Sequence, residues 1–217
     1  MEKSTVKIGN QVWMAENLNV EKFRNGDPIP EAKTDEEWEK AGKNEEPAWC
    51  YYDNDPSNGT KYGKLYNWYA VNDPRGLAPE GWKISSDEEW SVLSTYLGGE
   101  EVAGGKMKST DTQYFGFSVS DSEQQDMAHT LKTGDAIKMK NARPNGDATN
   151  ESGFSGLPGG FRTYGTFGGI GLYGSWWTST EADTEESYYR NLRFNDGSSI
   201  TGADYKKSGF SVRCLRD

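Results

Sequence analysis

Apolar and polar positions alternate along this chain in patterns that mark out its elements. The clearest runs through Ser86-Asp87-Glu88-Glu89-Trp90, where Trp90, Leu93 and Leu97 recur at helical spacing on one face. Ser86 and Glu89 have the spacing of a capping box: the hydroxyl accepts from the Glu89 amide and the carboxylate reaches back to the Ser86 amide. Gly98-Gly99 stop the helix. Thr34-Asp35-Glu36-Glu37-Trp38 repeats the logic and starts a short helix ending near Gly42. Leu65 to Val71 fits either strand or helix, and helix is favoured because Leu65, Trp68 and Tyr69 have helical spacing and Asn72-Asp73-Pro74 ends the run. Val6 to Met14 alternates about Gly9-Asn10 and predicts a β-hairpin. Trp49-Cys50-Tyr51-Tyr52 predicts a short strand, followed by a turn-rich loop from Asp53 to Gly59. Further strands are predicted at Gly174–Thr178, Tyr188–Phe194 and Phe210–Leu215. The last puts Phe210, Val212 and Cys214 on one side and Ser211, Arg213 and Leu215 on the other. Asp196-Gly197 reads as the turn pair of a hairpin. From Glu100 to Glu151 the patterning fades, and structureless loops of that length are usually functional or mobile.

Composition turns these elements into a class. The 217 residues carry no linker or low-complexity run, so a single domain over 1–217 is expected. Mean hydropathy is low, at −0.91. Aromatics nevertheless make up 13% of residues, with 8 Trp and 12 Tyr, which a disordered chain would not have. The picture is an aromatic core under long polar loops. The balance of 24 basic against 34 acidic residues gives a net charge of −10. That argues against nucleic acid and against an anionic membrane surface as partner. No apolar run approaches the roughly 20 residues that span a bilayer, so no membrane insertion of this domain is expected. Met1-Glu2-Lys3 reads as the start of a trimmed chain, with an export signal already removed. The two cysteines, Cys50 and Cys214, lie outside any CxxC, which disfavours a thiol-redox or zinc site. They are either two free thiols or a bridge closing a very long loop, and spacing does not choose between these.

Gly81–Trp90, Gly174–Glu181 and Gly209–Asp217 occur in order along the chain. Together they resemble the C-type lectin-like fold in its formylglycine-generating-enzyme-like branch. Val6–Asn19, Tyr62–Val71, Ala78–Trp90, Asn150–Arg162 and the Trp-Trp-Thr-Ser-Thr block are similar to the bacterial family called the Fibrobacter succinogenes major paralogous domain. The resemblance covers nearly the whole chain, apart from about 21–47 and 106–145. It implies an α+β, C-type lectin-like fold: a twisted antiparallel sheet, one or two short helices and long loops. It further implies an exported protein, extracellular or on the outer surface, often a lipoprotein, with a role in surface binding or adhesion. The enzymatic relatives use a pair of active-site cysteines or a histidine cluster. Here the late segment holds only Cys214 and the whole chain only His129, so no catalytic residue is assigned.

The remaining constellations are weighed on their chemistry. His129 sits alone in the unpatterned stretch and reads as a solvated side chain. Glu88 and Glu89 complement a helix dipole, and Glu185-Glu186 reads as a solvated turn. Calcium needs converging oxygen ligands, which Asp53-Asn54-Asp55 with Asn58, or Asp147 with Asn150 and Glu151, offer; no other cofactor is expected. The aromatic set after Gly153 carries the binding expectation. Sugars stack their apolar faces on exposed rings, so Tyr164, Tyr173, Trp176, Trp177 and Tyr189, with Arg162, Arg190 and Asn195, form the candidate ligand surface. Successive strand residues point to opposite faces, so one ring of Trp176-Trp177 faces away from whatever the other packs on, and at least half of the rings are expected in the core. The expected function is an exported, non-enzymatic module recognising a glycan or a cell-surface protein. The alternatives are a divergent enzyme on the same scaffold and a structural or protein-contact domain.

Overall fold

A computed structural model describes residues 4–110 and 147–217. The expectation for His129 lies outside the described residues. The N-terminal hairpin forms as expected, from β1 (Thr5–Ile8) and β2 (Gln11–Met14), with Ile8 opposite Gln11 across a two-residue turn. Gly9 takes a φ of +60° there, and a Cβ would meet the Tyr96 ring at 2.9 Å. The C-terminal strand β11 (Cys214–Arg216) then pairs with β2 on one side and with β5 (Trp82–Ile84) on the other. This sheet, in the order β1-β2-β11-β5, draws the two ends of the chain together.

The second sheet has five strands. It consists of β6 (Gly159–Thr163), β7 (Thr166–Ile170), β8 (Tyr173–Glu181), β9 (Glu186–Arg193) and β10 (Ser199–Tyr205), in the order β10-β9-β8-β6-β7. All its pairings are antiparallel except β6 with β8. A third, two-stranded sheet joins β3 (Trp49–Cys50) to β4 (Leu65–Tyr66). The protein is thus mixed α and β with several sheets and short helices. No helix among the described residues is long and apolar enough to cross a membrane.

The helices exceed the expected one or two. α1 (Asp35–Lys43) and α4 (Asp87–Tyr96) start at Thr34 and Ser86, each closing a full capping box. The predicted helix over 65–71 is shorter. Leu65 and Tyr66 are drawn into β4, and only Trp68–Val71 (α3) turns, with the Asn67 side chain accepting from the Ala70 amide. Two helices lie where loop was expected. In α2 (Pro56–Tyr62), Asp55 is the N-cap, accepting from the Ser57 amide, and proline occupies the first turn. α5 (Glu100–Met107) opens the stretch that looked unpatterned.

The aromatic core divides into clusters on either side of the sheets. Trp177, Phe210, Val212 and Cys214 belong to one, and Trp13, Trp90, Phe154, Trp176 and Leu215 to another. The predicted alternation after Gly209 holds, but both sides are buried. Of the two cysteine alternatives, the structure shows no bridge: Cys50 and Cys214 are both buried and lie in different clusters. Burial pushes the Cys50 thiol up to about 12, against the opposing influence of the Arg162 guanidinium.

Candidate functional site

The register of the second sheet sorts its side chains into two faces. Trp176, Arg190 and Thr201 form one cross-strand row, and Gly174, Leu192 and Ser199 the next. This face is covered by α4 and α5. Arg190 clamps it: its guanidinium donates to the Asp87 carboxylate at 2.8 and 3.0 Å, to the Asp87 carbonyl, to Ser91 Oγ at 2.7 Å and to Glu100 at 2.9 Å. The opposite face carries the rows Tyr173–Arg193, Ser175–Asn191–Ile200 and Trp177–Tyr189–Gly202. Its lower end packs onto Phe210, with the Trp177 ring centroid 4.5 Å and the Tyr189 ring centroid 4.6 Å away. Its upper end is open.

That open end is a cleft of about 270 Å³, lined by Phe161, Thr163, Tyr173, Ser175, Tyr189, Asn191, Arg193, Asp204 and Phe210. Aromatic rings form its floor, with Phe161 and Tyr173 at 6.0 Å. Gly202 makes room for one of them: a Cβ there would meet the Tyr189 ring at 2.7 Å. A polar row crosses the floor. Asn191 Nδ2 donates to Ser175 Oγ at 2.8 Å, and Arg193 Nε donates to Asn191 Oδ1 at 3.2 Å, which fixes a guanidinium that is otherwise exposed. Asp204 lies on the far side. One of its oxygens accepts from the Tyr205 amide and from Ser208 Oγ. Burial raises the Asp204 pKa above the usual carboxylate value, and it raises that of Tyr189 as well.

A second cleft, of about 550 Å³, lies beyond the β6–β7 turn. Trp38, Tyr69 and Tyr164 supply its rings, and Glu39, Glu45, Glu185, Lys43 and Lys207 its charges. Tyr164 and Gly165 both take positive φ, +50° and +77°, as a two-residue hairpin of the primed type requires. The Tyr164 ring is 77% exposed.

Of the residues expected to bind, Tyr173 and Tyr189 line the first cleft and Tyr164 the second. Five others do not. Trp176 and Trp177 are fully buried, one in each cluster: Trp176 Nε1 donates to Asn17 Oδ1, and Trp177 Nε1 to the Tyr66 carbonyl. Both rings are core, not surface. Arg190 is the clamp described above. Arg162 is wholly buried between the Trp38 and Phe167 rings and is paired with Asp35. Asn195 lies in the β9–β10 turn, outside either lining. That turn spans 194–198 instead of the tight Asp196-Gly197 pair.

Four of the residues considered for calcium have other partners. Asn150 exchanges hydrogen bonds with Ser155, and Glu151 pairs with Lys106 at 2.9 Å. Beside Asp147, the buried Lys108 ammonium donates to the Arg193 and Asp196 carbonyls, and so supplies positive charge at that corner. In the earlier loop, Asp55 caps α2 and Asn58 donates to the Tyr52 carbonyl. Among the described residues, no group of three or more His, Cys, Asp or Glu is placed to hold a metal ion.

The signal for the missed residues lay in the strand period. Tyr189 fixes the phase of β9, and residues of one face recur at every second position, so Asn191 and Arg193 follow from Tyr189 while Arg190 does not. Ser175 follows from Tyr173 in the same way. Asp204 joins them only through the pairing of β9 with β10.

The model of one family, described as the Fibrobacter succinogenes major domain, matches residues 6–216. No curated protein and no solved structure matches the chain.

Proposed function

The chain belongs to the Fibrobacter succinogenes major domain family, and on that premise we propose that it is a non-enzymatic binding module, carried outside the cell, whose first cleft takes a carbohydrate. The observation that carries this reading is the cleft floor. Aromatic rings from β6, β8 and β9 lie beside a fixed row of hydrogen-bonding side chains, Ser175, Asn191 and Arg193, with Asp204 opposite. A pyranose presents an apolar face to rings and hydroxyls to amides and carboxylates, so this combination matches a sugar unit. Catalysis of glycoside cleavage calls for two carboxyl groups flanking one bond, and among the described residues Asp204 is the only carboxylate in the lining. The fold is read as C-type lectin-like, supported by mostly antiparallel sheets, short helices and long loops, and binding needs no metal.

The test is a thermal-shift and calorimetric screen of soluble polysaccharides in the presence of a chelator. A ligand that binds only the folded chain raises the melting temperature by mass action. Arg193→Ala, at an exposed position, is expected to reduce the shift without lowering the melting temperature of the free protein. Absence of any shift across the screen would end the reading. A second reading, a protein-contact domain, is favoured by the exposed apolar side chains Val92, Tyr96 and Val102 on α4 and α5. Loss of self-association or of partner capture on changing Val92 and Tyr96 to Ser, with sugar binding absent, would select it.

A further inference from the structure

Resting on that reading of the first cleft, we infer that the sugar it takes is a uronate, with its carboxylate on the Arg193 guanidinium and its hydroxyls on Ser175 and Asp204. Arg193 is the one cation that lines the cleft among the described residues. Its Nε already donates to Asn191 Oδ1, and Asn191 in turn donates to Ser175 Oγ. Ser175 and Asn191 are 1% and 7% exposed, so the relay that orients the guanidinium is anchored in the sheet. The terminal nitrogens Nη1 and Nη2 make no hydrogen bond or ion pair with any described residue. In Arg75, Arg162 and Arg190, by contrast, a terminal nitrogen sits on a carboxylate. A guanidinium with both terminal nitrogens free presents a planar fork that matches a carboxylate. Because Arg193 is held before a ligand arrives, less ordering remains to oppose binding.

The rest of the lining suits the other parts of such a sugar. Ser175 Oγ accepts from Asn191, and its own proton has no acceptor among the described residues. One Asp204 oxygen takes the Tyr205 amide and the Ser208 hydroxyl at 2.7 and 2.8 Å, which leaves the other for a sugar hydroxyl. Phe161, Tyr173 and Tyr189 offer their faces to the apolar side of the ring. Arg193 and Asp204 line the same cleft without forming an ion pair. Both act on the Tyr189 hydroxyl: after the larger effect of burial, Asp204 raises its pKa and Arg193 lowers it. An amino sugar fits less well. Its ammonium would meet Arg193, and its anchor would be Asp204, where burial opposes the charged form. Arginine keeps its charge throughout the working pH range. The volume of about 270 Å³ suits one unit. With one cation in the lining and a net charge of −10 over the chain, a single carboxylate is accommodated while a dense polyanion is repelled.

Removing one charge from the ligand tests this. Ligand-observed NMR titration compares the methyl glycosides of glucuronate and galacturonate with their carboxyl methyl esters and with the parent glucoside and galactoside. At least one uronate is expected to bind about tenfold or more tighter than its ester and its hexoside. That preference should fade at high salt, which screens the ion pair. The decisive variant is Arg193→Gln, which removes the charge at an exposed position. It is expected to bring the uronate down to the affinity of the hexoside, and to leave hexoside affinity and melting temperature as they were. Arg193→Lys, which keeps the charge without the fork, should retain part of the preference. An ester or hexoside that binds as tightly as its uronate overturns the acidic ligand and leaves the carbohydrate reading standing. A uronate preference that persists undiminished in Arg193→Gln overturns the placing of the carboxylate on Arg193. Failure of every sugar, here and in the polysaccharide screen, overturns both readings together.

Discussion

Asp204 is expected to couple ligand binding in the first cleft to pH. Burial is the largest influence on it and raises its pKa, while the Ser208 hydroxyl and the Tyr205 amide partly offset this. A carboxyl whose folded pKa is raised binds more protons folded than unfolded across the interval between the two values, so its contribution to stability falls as pH rises through that interval. Ligand binding that uses the ionised carboxylate changes the other way, and weakens as pH falls through the raised pKa. The expected outcome is an affinity that declines on acidification at a higher pH than an ordinary aspartate, near 3.9, would produce. In Asp204→Asn that decline should be absent. Calorimetric titration from neutral to acid pH measures both, and identical profiles for the two proteins would remove Asp204 from the site. At this same scale the sequence was legible in part. Tyr173 and Tyr189 were visible as candidate contacts, whereas Trp176 and Trp177 looked equivalent to them. Only burial separates the two kinds, because ring chemistry alone does not say which side of a strand the core occupies.

Elements were read best where local chemistry decides them. Thr34 with Glu37 and Ser86 with Glu89 announced their helices because a capping box is satisfied within four residues. Ser86→Ala is expected to cost about 1 kcal/mol in urea unfolding, since the Glu89 amide loses its acceptor. A change near zero would mean that packing of Trp90 and Leu93 alone holds α4. The helices that went unread share a different feature. In α2, Gly59 lies against the Tyr51 ring, where a Cβ would come within 2.1 Å. In α5, Gly104 meets the Ser198 carbonyl, where a Cβ would also come within 2.1 Å, and the Gly105 amide donates to the Gly197 carbonyl. Glycine lowers helix propensity by about 1 kcal/mol relative to alanine, so these stretches read as loop. Close packing against a neighbouring segment overrides that penalty, and no local pattern reveals the neighbour.

Across the whole molecule, cations are what the interior holds. Lys64, Lys108, Arg162, Arg190, Lys206 and Arg213 are buried, while no carboxylate is buried among the described residues. Arg213 is the extreme case. Burial pulls its pKa down to about 9, so it stays protonated at neutral pH. It donates to Asn17 Oδ1 and to the Met14 and Phe154 carbonyls, tying the C-terminal segment to the N-terminal loop. Arg213→Met should therefore destabilise the fold by about 3 kcal/mol, measured by urea unfolding, because the buried Met14 and Phe154 carbonyls lose their donor. A loss under about 1 kcal/mol would show that the aromatic stack of Phe154 and Trp176 carries that corner without the cation. By itself the sequence determined the hairpin, the two capped helices, the alternation of the late strands and the family, since each is written in residues close together along the chain. The tertiary structure alone decided which rings are core, that the two cysteines lie apart and unbridged, and that Ser175, Asn191, Arg193 and Asp204 face one cleft. Those outcomes depend on which strand lies beside which and on which face the helices cover, and such contacts join residues far apart in the chain.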